Sequence, residues 1–334
     1  MQKIITMAHG AGGRQTSELI DAVFRQYFEN EYLTSDDAAV VPGHEGRMAM
    51  TTDGFIISPQ FFPGGNIGKL SVCGTVNDLT CMGARPAYLT CSFIIEEGYP
   101  VDKLETIAKS MAETAKETGA VMVAGDTKVA GKGQAGGCFI TTTGVGFIED
   151  GVSTSGKFAE PGDAIIVTGD IGRHGASILL ARDDYGIDAD IISDCAPLWN
   201  DIHELLKAVP ETHVIRDATR GGLGTVLYEI AHESGNGIYL NRESVPVSPA
   251  VKGVCSMLGL EPMYLACEGT MAVIVPDKDK EKALEVLHRG KHTGKAAIIG
   301  HVTEENEGRV VMESEIGALT YLPEPGNELL PRIC

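Results

Sequence analysis

From about residue 48 to 150 the hydrophobic positions of the chain change period several times. RMAMTTDGFIIS is a β-rich run, and IGKLSVCGTVNDLTCMG then spaces its apolar residues at helical intervals. PAYLTCSFII returns to a strand, PVDKLETIAKSMAETAKETG is a charged amphipathic helix, and AVMVAGDT and GGCFITTTGVGFIE are β segments. EDGVSTSGKFAEPGD has glycine, serine and proline without periodicity and is expected to be a linker. A second α/β unit follows: the strand AIIVTGD, the helix HGASILLAR, HVIRDATRGGLG leading into the helix TVLYEIAHE, and the strands YLACEGTMAVIV and KAAIIGHV. KDKEKALEVLHR, between the last two, is a solvated amphipathic helix. The expected fold class is therefore α/β of the α+β type in two domains, residues 1–150 and 160–322, followed by a flexible tail, 323–334. No short repeat is visible, so a solenoid is not expected.

Composition agrees with two globular domains. The 334 residues leave room for about two cores, 43% hydrophobic and 22% charged residues are globular values, and 41 glycines imply many tight turns. The net charge of −19 repels phosphate backbones and anionic lipid alike, so neither nucleic acid nor a membrane surface is an expected partner, and an anionic substrate needs a cation beside it. MQKIITMAHGAGG lacks the apolar core of a signal peptide, and no window approaches the roughly 18 apolar residues of a membrane span. A cytoplasmic protein is expected.

The eight cysteines show no C-x-x-C and no nearby histidine pair, which argues against a disulfide framework and a zinc site. Most lie in apolar runs, where cysteine acts as a small hydrophobe. Cys334 differs: it ends PEPGNELLPRIC, whose three prolines disfavour helix and ladder pairing. Twelve extended residues at ~3.3 Å each span on the order of 40 Å, enough to swing between two places, although a plain disordered terminus has the same composition.

The candidate chemistry begins with acidic residues at the ends of apolar runs, each beside a small residue: Asp36 and Asp37 in SDDAAVV, Asp53 in TTDGF, Asp78 in GTVNDLT and Asp126 in AGDTK. Carboxylates so placed suit Mg²⁺, which takes hard oxygen ligands and keeps waters and substrate phosphates as the rest, and they are expected to share one metal-nucleotide site. Turn chemistry also explains an Asp beside Gly, taken one at a time. Lys128, two residues after Asp126, falls on the same face of an extended segment, where it would bind a phosphate or stabilise an oxyanion; a solvated lysine is the plain alternative. GKGQAG precedes a β-like stretch rather than opening a helix, and PGGNIGKLS misses the Walker A spacing, so a Rossmann fold and a P-loop are both excluded. His9, Gly10, Gly12 and Gly13 form a glycine loop before a helix that could fold over phosphates, or be a loose terminus. Asp217, Thr219 and Arg220 in RDATRGGLG stand at a strand-to-helix junction suited to an anion. Glu268 in ACEGTM, between apolar runs, is a candidate general base with a raised pKa, or a structural hydrogen-bonded Glu.

Together HGAGG, SDDAAVV, TTDGF, GTVNDLTCMGARP, GDTKV and RDATRGGLG resemble, over nearly the whole chain, the family of ATP-dependent enzymes that includes aminoimidazole ribonucleotide synthetase, selenophosphate synthetase and thiamine-monophosphate kinase. The resemblance implies ATP and Mg²⁺ as cofactors, an N-terminal domain forming a β-barrel across a homodimer, and a C-terminal α/β sandwich closing over the nucleotide. Within that family the ending PRIC resembles the carbamoyl dehydratases of [NiFe]-hydrogenase maturation. That implies a thiol of Cys334 carbamoylated by a carbamoyltransferase, HypF, then dehydrated with ATP to a thiocyanate whose cyanide goes to iron on a HypC–HypD complex. By the same resemblance Asp53, Asp78 and Asp126, with Asp36 or Asp37, hold Mg²⁺ and ATP, Lys128 balances charge at the transferred phosphate, and Glu268 takes a proton from nitrogen. Which of Asp36 and Asp37 binds metal stays open. A non-catalytic thiol carrier, or a related synthetase or kinase acting on a small acceptor, are the other readings; the first cysteine is Cys73, so no thiol sits in the N-terminal glycine loop as in selenophosphate synthetases.

Overall fold

A computed structural model of the chain describes residues 3–11, 13–34, 38–182 and 185–324. Helix α1 (Arg14–Leu19) runs through a π-helical stretch, Ile20–Arg25, into a last turn, α2 (Gln26–Phe28), burying Leu19, Val23, Phe24 and Phe28. There follow β1 (Arg47–Phe55), a small hairpin of β2 (Phe61–Phe62) and β3 (Gly65–Asn66), α3 (Ile67–Cys81), β4 (Ala84–Glu96), α4 (Val101–Thr118), β5 (Val121–Ala130) and β6 (Cys138–Ile148). The Asn66 side chain starts α3 by accepting the N–H groups of Gly68 and Lys69, and Gly119 ends α4 in the left-handed region at φ 78°. The sheet order is β1-β6-β4-β5; β4 and β5 alone are parallel, because α4 carries the chain back across. Helix α3 packs on β1, β6 and β4, and α4 packs beside it. The opposite face is open and leaves Met48, Met50 and Ile94 exposed at 60%, 67% and 43%.

The second half contains β7 (Ala164–Val167), α5 (Arg173–Ala181), α6 (Trp199–Ala208), β8 (Val214–Asp217), α7 (Gly222–Ser234), β9 (Gly237–Asn241), α8 (Pro249–Leu258), β10 (Met271–Val275), α9 (Lys280–His288), β11 (Ala297–Thr303), β12 (Val310–Glu313) and β13 (Leu319–Tyr321). Its sheet runs β13-β12-β9-β11-β7-β10-β8. Ile165, Val167, Ala272 and Ile274 face α7, while Ala164, Ile166, Val273 and Val275 face α6 and α9. With both faces covered, AIIV and MAVIV read as continuous apolar runs rather than as alternation. Ile178, Cys195 and Trp199 from this half join the core of the first, so the two halves share packing.

The mixed α/β class is as expected, and among the described residues the first sheet is open, with two free edges. Several local expectations change. YLACEGTMAVIV is not one strand: β10 begins at Met271, and Pro262–Tyr264 is a 3-10 turn. The reason is tertiary, since a Cβ on Gly269 would lie 1.9 Å from the carbonyl oxygen of Asp194, so this stretch is threaded tightly past another loop. The expected linker is also ordered: Thr154 is buried and donates to the Cys81 carbonyl at 2.7 Å, and Ser155 N–H donates to the His213 carbonyl at 3.0 Å. The periodicity reading did not include α6, α8, β9, β12 or β13. Ser248 capping α8 with Pro249 in its first turn is a start signal the sequence carries. At the root of the expected tail, the hydroxyls of Tyr228 and Tyr264 donate to the carbonyls of Leu322 and Pro323; residues 325–334 lie outside the described residues. Among the described residues no helix is long and apolar enough to cross a membrane.

The α3–α4 contact yields a direct test. A Cβ on Gly68 would sit 2.5 Å from the Ile107 carbonyl oxygen, so Gly68→Ala must push the two helices apart. It is expected to cost ~1–3 kcal/mol, read as a lower urea midpoint. An unchanged midpoint would show that the helices are free to separate.

Candidate functional site

The described site residues fall into two groups. The first gathers where β1, α3 and the end of β8 meet. The Asp53 carboxylate lies over α3 at Gly74, where a Cβ would be 3.9 Å from its Oδ2. Asp78 is one helical turn further on and accepts from Thr51 Oγ1 at 2.7 Å. Asp217 ends β8, hydrogen-bonded to the Thr219 side chain and 3.9 Å from Cys81 Sγ. The chain then turns into α7 through Gly221 and Gly222, both at positive φ; a Cβ on Gly222 would come within 2.6 Å of the carbonyl oxygens of Met263 and Leu265. The glycines of RDATRGGLG thus allow a close backbone crossing, and they leave exposed Arg220 facing Asp53 and Asp78. Glu268 is buried at 7% exposure in the loop before β10. Asp194, which sequence reasoning did not single out, anchors that loop from within hydrogen-bond distance of Glu268 N, Gly269 N and Thr270 Oγ1.

Burial raises the pKa of these acids, and neighbouring carboxylates add to it at Asp78, Asp217 and Glu268. Burial, then the charges of Asp217 and Asp53, pushes Asp78 up to about 7, against weaker opposition from the Thr51 bond and Arg220. Burial also raises Asp53 and Asp217. Glu268 is pushed well up by burial first, with Cys195, Asp217, Asp194 and Asp53 adding to it. The free chain therefore holds a hard-oxygen donor set with too little positive charge beside it. Among the described residues, no three of His, Cys, Asp or Glu converge closely enough to hold a metal ion by themselves. Such a loose oxygen set suits Mg²⁺, which keeps waters and phosphates in its shell, better than an ion that needs a full protein cage.

The second group lies at the β5 edge. Asp126 and Lys128 form an exposed ion pair of 3.0 Å. Beside them is a 3-10 turn, Met7–Gly10, in which His9 is buried and its Nδ1 accepts from Thr6 N at 3.0 Å. Gly10 packs so closely on β5 that a Cβ would lie 2.9 Å from Val129 N, and Gly13 precedes α1. A cleft of about 610 Å³ opens here, lined by Thr16, Phe24, Arg25, Cys91, Asp126 and Thr127. Thr34 and Ala38 line it too; Asp36 and Asp37, which stand between them in the sequence, lie outside the described residues, as do Gly12 and Cys334.

One chain does not bring the two groups together. Asp53 pairs with Thr142, Thr142 with Cys91, and Cys91 with Gly125, so Asp53 and Asp126 stand on opposite edges of the sheet. Three strand spacings separate them by about 14 Å. Asp217 ends β8, whereas Asp53, Asp78 and Asp126 lie within β1, α3 and β5 rather than at their ends, and the strand order divides the expected single site into two halves.

Family models for the AIR synthase related protein match the chain twice, the N-terminal domain over residues 35–148 and the C-terminal domain over residues 160–313. The carbamoyl dehydratase HypE of Azotobacter vinelandii is 44% identical over 331 residues, 99% of this chain and 97% of that protein. A crystal structure of the hydrogenase maturation protein HypE in complex with ATP superposes with a TM-score of 0.94 at 44% identity, covering 98% of this chain and 99% of the other. A HypE–HypF complex contains a chain that matches with a TM-score of 0.81 at 43% identity, covering 94% of this chain and all of that one (100%).

The acid cluster predicts a pH dependence. Asp78 rises from 3.8 to about 7 on folding, so its contribution favours the fold below the ordinary value and is lost as pH climbs through 7. Asp78→Asn, which keeps an acceptor for Thr51, should therefore gain stability over the native chain progressively between about pH 4 and pH 7 and hold a constant advantage above, on the order of a few kcal/mol. Urea unfolding across that range measures it; a difference that does not vary with pH would mean that Asp78 ionises normally.

Proposed function

The chain belongs to the AIR synthase related family and, within it, to the HypE carbamoyl dehydratases, and on that basis we propose that it dehydrates a carbamoyl group on its own Cys334 with ATP. The observation that carries this reading is the full-length match to carbamoyl dehydratases together with the near-superposition on an ATP-bound HypE. A HypF-type carbamoyltransferase supplies the group, consistent with the HypE–HypF complex among the structural relatives. The cyanide then passes to iron on a HypC–HypD scaffold in the cytoplasm.

Residues 1–150 and 160–322 act as the two domains, and 323–334 as a flexible arm that delivers the thiol. The carbamoyl oxygen attacks the γ-phosphorus of ATP, the bond to the bridging oxygen breaks and ADP leaves. Glu268 accepts one nitrogen proton, and the second passes to the phosphate, which departs as hydrogen phosphate with the former carbamoyl oxygen and leaves S–C≡N on Cys334. Lys128 balances charge on the transferred phosphoryl group, Asp217, Thr219 and Arg220 hold its neighbours, and the glycine loop at His9, Gly10, Gly12 and Gly13 covers the nucleotide. Mg²⁺, held by Asp53, Asp78 and Asp126 with Asp36 or Asp37, supplies charge neutralisation at the phosphates.

Those roles require both halves of the site, and a homodimer provides them. If the β1 edge of one copy meets the β5 edge of the other, the two open sheets close into a barrel, cover Met48, Met50 and Ile94, and bring Asp126 and Lys128 of one copy to Asp53, Asp78 and Glu268 of the other.

Two experiments test this. Carbamoylated chain should lose one water from its C-terminal peptide only when Mg-ATP is added, by intact-peptide mass with Cys334→Ala as control; Glu268→Gln should bind ATP and retain the carbamoyl group. Persistence of the group in the native chain refutes the dehydratase, and normal turnover by Glu268→Gln removes Glu268 as base. Mixing inactive Lys128→Ala with inactive Glu268→Gln should restore dehydration through mixed dimers. No recovery after confirmed subunit exchange refutes the shared site.

A further inference from the structure

The residue before Asp78 faces a different neighbour. Asn77, 3% exposed, donates from Nδ2 to the carbonyl of Ala196 at 3.0 Å and to that of Glu268 at 3.4 Å, while its Oδ1 accepts from Leu198 N at 2.9 Å. On the far side of the same loop Asp194, 6% exposed, accepts from Glu268 N at 3.3 Å on Oδ1, and from Gly269 N at 3.1 Å and Thr270 Oγ1 at 3.0 Å on Oδ2. The backbone of Glu268 is thus held by its carbonyl to α3 and by its amide to the 194–198 loop.

We infer that Asn77 and Asp194 are positioning residues that fix the Glu268 backbone against α3 and so set the spacing between Glu268 and Asp78. Burying an amide and a carboxylate is costly where apolar side chains would fill the same space, and what a fully bonded polar pair adds is a defined geometry. The geometry here is specific to one residue: both polar groups of the Glu268 backbone are used, and no side chain fits at Gly269, where a Cβ would lie 1.9 Å from the Asp194 carbonyl. Successive residues of a helix point about 100° apart, so α3 sends Asn77 to the Glu268 loop and Asp78 to Thr51 and β1 from one rigid rod. A proton acceptor pinned to the helix that carries the phosphate-side carboxylate keeps its reach to the reacting nitrogen constant. Thr270 completes the set from one bond further out.

The inference rests on Glu268 as the proton acceptor. Asn77→Ala and Thr270→Val should bind ATP with an affinity within about twofold of native, yet convert carbamoylated Cys334 to thiocyanate more slowly in single turnover, roughly 10–100-fold for Asn77→Ala and a few-fold for Thr270→Val. Thr270→Val is isosteric and removes a single hydrogen bond, so it reports even if Asn77→Ala does not fold. Native single-turnover rates in the folded variants, or ATP affinity falling in parallel with rate, would overturn the positioning role. Glu268→Gln in the same assay separates the two ideas: if it is inactive while the clamp variants run at full speed, the clamp alone is wrong; if it turns over normally, the base assignment fails and the clamp with it.

Discussion

Helix α3 has almost no solvent face, and the rest of the structure is arranged around that fact. Thirteen of its fifteen residues are buried, between α4, the first sheet and the 194–198 loop of the second half. A helix buried all round must satisfy its polar side chains inside the protein. Thr75 and Thr142 bond each other at 2.5 Å, Thr142 returns to the Ser71 carbonyl, Thr80 bonds Val76, and Asn77 crosses to the second half. Small residues set the approach distances, with Gly68 against α4 and Gly74 against β1. Pressed from every side, α3 cannot slide, and the side chains it carries inherit its position.

That rigidity explains how a crowd of acids is tolerated. Burial raises the pKa of Asp53, Asp78, Asp217 and Glu268, and neighbouring carboxylates add to it at Asp78, Asp217 and Glu268, because their elements converge on α3 and cannot relax apart. Such a cluster costs stability in the free chain and is offset when positive charge enters, the usual exchange between stability and function at a binding site. Asp126 and Lys128 are the opposite case. Their ion pair is exposed, holds nothing together, and so contributes little to the fold while presenting both charges at a free sheet edge.

Much of this was legible from residue order. The residue pattern placed β1, α3, β4, α4, β5 and β6 almost at their observed limits because each is a long run; α4 shows its period on a single buried face, whereas α3, buried nearly all round, was marked by its length. Where both faces or all sides are buried the signal fades: β12 has four residues, and α6 lies under the second sheet among elements the pattern did not separate. The misread stretch around Glu268 is of another kind. Its residues suit a strand, and it is the backbone of Asp194 passing Gly269 that keeps it a loop.

The motifs themselves, from HGAGG to RDATRGGLG, together with the full-length likeness to HypE proteins, belong to the sequence alone. Tertiary structure decided which of those acids meet. Strand order set Asp53 and Asp126 on opposite edges, and the crossing of α3 with the Glu268 loop joined Asn77 to a residue 191 positions away. Local periodicity records which face of an element is buried, whereas strand order and helix crossings depend on how distant surfaces fit, and that fit exists only once the chain has packed.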